Sequence, residues 1–144
     1  MFRSRLGIVS MVLLGAVLIA FFAMLALAPT AQPDLSREKP SAGGLYQVAI
    51  APEKEPIEQG VLHNWVVTVR TASGAPVSDA TVTVDGGMPE HGHGLPTTPQ
   101  ATGHMGEGRY RIEGVRFNMS GNWVLKVGIT APAGTDSAEF NLSI

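Results

Sequence analysis

The chain has 144 residues, 44% hydrophobic content, 15% charged residues and a formal net charge of -2, which suits one ordinary folded domain and argues against a disordered one. It lacks the basic footprint of a nucleic-acid-binding protein, and without cysteine it has no disulfide, thiolate metal site or cysteine nucleophile. Any metal would have to be held by histidine, methionine or carboxylate.

The first element in chain order is apolar. Leu6 to Leu27 is a run of 22 residues without a charge, which as a helix would span roughly 33 Å, close to the ~30 Å hydrocarbon core of a bilayer. Thirteen of these residues are Leu, Ile, Val or Phe, and at about -0.3 to -0.6 kcal/mol each they favour insertion by roughly 4 to 8 kcal/mol. Arg3 and Arg5 precede the run, so the positive-inside rule keeps the N-terminus in the cytoplasm and sends the rest of the chain outward. A cleaved signal peptide competes with this reading. Ala26-Leu27-Ala28 fits a small-x-small cleavage site, but Pro29 follows it directly and the apolar run is longer than such peptides need. The expectation is an uncleaved single-pass anchor over residues 1–28, in a bacterial cytoplasmic membrane.

Residues 29–44 carry Pro29, Pro33, Pro40, Gly43 and Gly44 without a periodic apolar pattern, and read as a linker. A flexible chain of that length would hold the domain on the order of 20 to 24 Å from the membrane. From residue 45 to 144 apolar residues alternate. Tyr46, Val48 and Ile50 share one face, then Trp65, Val67 and Val69, Val82 and Val84, Tyr110 and Ile112, Trp123 to Ile129, and Ala138 to Ile144. Period two means half-buried strands. Turn signals stand between them at Ser73-Gly74, Asp85-Gly86-Gly87, Gly106-Glu107-Gly108 and Ser120-Gly121-Asn122. The expected fold is all-β, an antiparallel β-sandwich of the immunoglobulin type preceded by a single N-terminal transmembrane helix. Gly108-Arg109-Tyr110 looks like the tyrosine corner of such sandwiches.

The stretch richest in chemistry is Met88-Pro89-Glu90-His91-Gly92-His93-Gly94. Imidazole and thioether are donors that suit copper, whereas magnesium and calcium need clustered carboxylates. In an extended segment, residues two apart point to one side, so His91 and His93 would form a two-imidazole clamp. The alternative is a glycine-rich surface loop with solvated histidines. Met88 could reach back to the clamp or fill a gap in the core. His104 and Met105 fall before the Tyr110 strand and Met119 before the Trp123 strand, so loops converging at one end of a sandwich would supply a third and fourth donor. Such a neutral set favours Cu(I), with Cu(II) on the imidazoles and water, or zinc on three histidines, as the alternatives. His63, remote in sequence, reads as an exposed polar residue. No nucleophile motif such as Gly-x-Ser-x-Gly is present, and neighbours on a strand such as Glu90 and His91 point apart, so an enzyme is not expected.

Several of these stretches taken together resemble the YtkA-like domain, a relative of the FixH family. They are Gly74-Ala75-Pro76-Val77 through Ala80-Thr81-Val82, Met88-Pro89-x-His91-Gly92-His93-Gly94, Gly108-x-Tyr110, and Phe117-x-Met119-x-Gly121-x-Trp123. The resemblance runs over most of Leu62 to Ile129. It implies an immunoglobulin-like sandwich on the outer side of a bacterial membrane and a role in copper handling, because FixH-type proteins are associated with assembly of copper-containing respiratory oxidases. The residues it reaches are Met88, His91, His93 and Met119. The segments just after the anchor depart from FixH proper. The expected cofactor is a copper ion, the expected partners are the membrane and a copper-containing membrane protein complex, and the rival reading is a metal-free interaction module that assists assembly of a membrane complex.

Overall fold

The computed structural model describes residues 32–144, in which Pro33–Ile144 forms a compact unit. The anchor expected over residues 1–28 lies outside the described residues, among which no helix is long and apolar enough to cross a membrane. The described residues form nine strands: β1 (Glu38–Pro40), β2 (Tyr46–Pro52), β3 (Leu62–Thr71), β4 (Thr81–Met88), β5 (His93–Gly94), β6 (Gln100–His104), β7 (Arg109–Arg116), β8 (Asn122–Ala131) and β9 (Gly134–Ser143). A single 3-10 turn at Pro89–His91 joins β4 to β5.

All the strand pairs are antiparallel, and they make two sheets ordered β1-β2-β3-β7-β6 and β5-β4-β8-β9. The expected all-β antiparallel sandwich is therefore present. Its core comes from the alternating residues: Tyr46, Val48, Trp65, Val67, Tyr110 and Ile112 from one sheet face Trp123, Leu125, Val127, Phe140 and Leu142 from the other, and all are buried. Burial of these side chains, at about 1.5 to 3 kcal/mol for each large one, is what holds the two sheets together.

Four local expectations need correction. The stretch read as linker is folded from Glu38 onward, where β1 pairs with β2 from Glu38–Ala49 to Pro40–Gln47. A three-residue edge strand has no room for an apolar alternation, and an edge tolerates the missing N–H of Pro40. Asp85-Gly86-Gly87 is not a turn but the continuation of β4. A Cβ on Gly86 would collide with the Val124 carbonyl and one on Gly87 with the His93 carbonyl, so these glycines permit close strand approach. His63 is buried rather than exposed, because it shares the inward parity of Trp65, Val67 and Val69; its Nε2 accepts a 3.0 Å hydrogen bond from the Glu58 N–H. The Tyr110 hydroxyl does not bond a few residues upstream as in a tyrosine corner. It donates to the Val77 carbonyl at 2.7 Å and accepts from the Ala80 N–H at 2.9 Å, pinning the connection between β3 and β4.

One seam between the sheets is laced by the segment after β1. The Ala42 N–H donates to the Ser137 carbonyl at 2.8 Å. The Asp136 carboxylate accepts from the Ser41 hydroxyl at 2.6 Å and from the backbone N–H groups of Gly43 (2.9 Å), Leu45 (3.2 Å) and Ser137 (2.8 Å). The Ser41 bond above all, then the backbone donors, lower its pKa from the ordinary 3.8 to about 2. A carboxylate held down in the folded state stabilises it wherever the unfolded carboxyl is also ionised, and the contribution is lost as pH falls from about 4 toward about 2. Asp136→Asn is therefore expected to lower the urea midpoint at pH 7, with the gap to wild type closing between pH 4 and pH 2. A gap that persists unchanged into acid would contradict this.

Candidate metal site

The hairpin that carries the two histidines begins where β4 ends. Pro89 opens the 3-10 turn, where its fixed φ and missing N–H cost nothing. Gly92 closes the turn in the left-handed region, at φ 67°, and its N–H donates to the carbonyls of Met88 (3.0 Å) and Pro89 (3.3 Å). The His91-Gly92-His93 stretch is thus not extended, as expected from sequence, but reversed. The reversal sets His93 directly opposite Met88 in the β4–β5 ladder, and opposed side chains share a face. Met88 is only 1% exposed and faces the core. His93 therefore leans inward too. It is half-buried, with its ring centroid 5.7 Å from that of Trp123 in an edge-on arrangement.

His93 Nδ1 lies 3.1 Å from the Gly94 carbonyl. A carbonyl only accepts, so Nδ1 carries the proton and neutral His93 presents the lone pair of Nε2. That is how a histidine is commonly prepared as a metal ligand. His91, at the end of the turn, is exposed, and its ring centroid stands 6.0 Å from that of His93.

The connection between β7 and β8 arrives at the same end. Phe117 packs edge-on to Trp123 at 5.3 Å, and the Trp123 Nε1–H donates to the Met119 carbonyl at 3.0 Å. Met119 itself is partly buried against the core. Gly121 is fastened by two hydrogen bonds to Ile144, at 2.9 and 3.0 Å, and the methyl group of Met88 lies 2.7 Å from where a Cβ on Gly121 would sit. Met88 thus packs as a core residue beneath the histidine hairpin.

Met88, His91, His93 and Met119 are accordingly gathered at one end of the sandwich. His104 and Met105 are not. His104 pairs with Tyr110, against whose ring it rests at 5.0 Å, and Tyr110 lies seven positions before Phe117. At about 3.3 Å per residue, that separates the two ends by roughly 23 Å. Met105 follows His104 into the β6–β7 turn and is 43% exposed. The convergence expected of these loops fails for them because β6 runs away from β5 along the opposite sheet. Among the described residues no three His, Asp or Glu side chains cluster closely enough to hold an ion, so an ion held by His91 and His93 would take any further donor from thioether sulfur or water. Sequence reasoning reads Gly121 only as a turn residue and Trp123 only as a strand residue, with no part in the site. Both stand in the Met-x-Gly-x-Trp motif, which marked them.

Gly121 has φ 128°, a conformation nearly confined to glycine. Gly121→Ala should destabilise the fold by about 1 to 3 kcal/mol in urea unfolding, because the backbone is strained even if the flexible Met88 methyl moves aside. A neutral substitution would show that the turn can relax.

Residues 41–128, more than half of the chain, match the family model described as YtkA-like, a span reaching further toward the N-terminus than the motifs alone. No curated protein matches the chain. Among solved structures it is similar to the one titled ZirS C-terminal Domain, at 11% identity and a TM-score of 0.38, covering 79% of this chain and 82% of that one. On the family match, the chain belongs to the YtkA-like family.

Proposed function

We propose that this protein is a copper-binding domain of the immunoglobulin-like type, related to FixH proteins and held outside a bacterial cytoplasmic membrane by residues 1–28. It acts by binding rather than catalysis, and hands copper to a copper-containing membrane complex. The observation that carries the reading is the 6.0 Å spacing of the His91 and His93 rings. With metal–nitrogen bonds of about 2 Å and about 1.1 Å from each nitrogen to its ring centroid, two imidazoles on one ion have centroids up to roughly 6.2 Å apart. The available Nε2 of His93 adds to the fit, and Met119 reaches the same end of the sandwich, its carbonyl bonded by the Trp123 indole that His93 packs on. Two imidazoles with a thioether form a neutral, soft to borderline set that suits Cu(I), while methionine adds little to zinc.

The same end of the sandwich also exposes apolar surface at Val61 (44%) and Leu62 (63%), and Gly60 bonds to Phe117 just before Met119. That observation favours the second reading, a metal-free interaction module assisting assembly of a membrane complex.

Titration of the whole chain with Cu(I) against a competing chelator separates the two. The copper reading expects one saturable site, weakened at least about 100-fold by His91→Ala with His93→Ala, and weakened in acid because protons compete for imidazole. No saturable binding, or equal affinity in the double variant, would leave the interaction module as the surviving reading.

A further inference from the structure

Resting on the copper reading, we propose that Trp123 is the positioning residue of the site, the side chain that sets Met119 against His93. The two donors come from separate elements, His93 from β5 and Met119 from the β7–β8 loop. Trp123 touches both. Its indole N–H holds the Met119 carbonyl at 3.0 Å, and its ring meets the ring of His93 at 5.7 Å. It is itself immobilised, with no exposure at all, and is braced by Phe117 at 5.3 Å.

The register explains how this is built. Trp123 pairs with Leu142, and the β4–β8 ladder, continued one step past its Gly87–Val124 pair, sets Met88 beside Trp123 and so His93 beyond it. A buried indole needs a partner for its N–H. Here the partner belongs to the residue that supplies the sulfur. Trp123 contacts the His93 ring and the Met119 backbone and is itself no ligand. Groups that orient metal ligands in this way typically change affinity 10- to 100-fold when replaced.

Trp123→Phe keeps an aromatic ring in the core and deletes the N–H. Measured on the whole chain with Cu(I), it is expected to weaken binding at least tenfold and to remove the sulfur neighbour seen by X-ray absorption, while both imidazole nitrogens remain. Met119→Leu should do the same, and the double variant should be no weaker than either single one, because both changes break one link. Additive losses, or a Trp123→Phe protein that keeps its sulfur neighbour and affinity, would overturn the positioning role while leaving copper binding intact. Failure of the wild-type chain to bind Cu(I) would instead remove the copper reading and this role with it. Should Trp123→Phe not fold, the wild-type indole signals decide. The Trp123 Nε1–H resonance is expected to shift on Cu(I) saturation while that of Trp65 stays, and an unmoved Trp123 signal overturns the proposal.

Discussion

The close approach of β4 to both of its neighbours at Gly86 and Gly87 is the constraint on which the candidate site depends. With any side chain at these positions, the Val124 carbonyl on one flank and the His93 carbonyl on the other would be pushed away. The two-residue strand β5 could then no longer pair with β4, and His93 would lose its place opposite Met88. One backbone requirement therefore converts a histidine-rich turn into a hairpin that leans over the core.

From that hairpin the packing passes inward without a gap. His93 meets Trp123, Trp123 meets Phe117, and Phe117 meets Trp65 at 6.4 Å. His93 is thus braced against a packed core, which limits the conformational entropy that its binding of an ion must overcome. Asp136 does a comparable job elsewhere, gathering the segment from Ser41 to Leu45 onto the start of β9. The two features are independent, and only the first bears on metal.

Much of the fold could be read from alternation, because β2, β3, β7, β8 and β9 each bury one face and leave the other wet. The edge strands could not. β1 is three residues long, β5 two, and every residue of β6 is exposed, so none has an apolar period to detect. Gly86 and Gly87 misled for a related reason: glycine marks a turn and a close strand approach alike, and only the neighbouring carbonyls tell them apart. Of the candidate site, the His91–His93 pairing was legible from spacing, although a left-handed Gly92 rather than an extended backbone achieves it. The distance of His104 from it was not, since which end of a sandwich a loop reaches depends on sheet order.

The claim at the centre is that His91, His93 and Met119 form one copper site at the end of the sandwich that Trp123 underlies. Diffraction from crystals of the protein grown with Cu(I), recorded on either side of the copper absorption edge, tests it most directly. The expected result is a single anomalous peak within bonding distance of the His93 Nε2 atom and of a nitrogen of His91. A peak beside His104 and Met105, or none in crystals shown to contain copper-saturated protein, would contradict it.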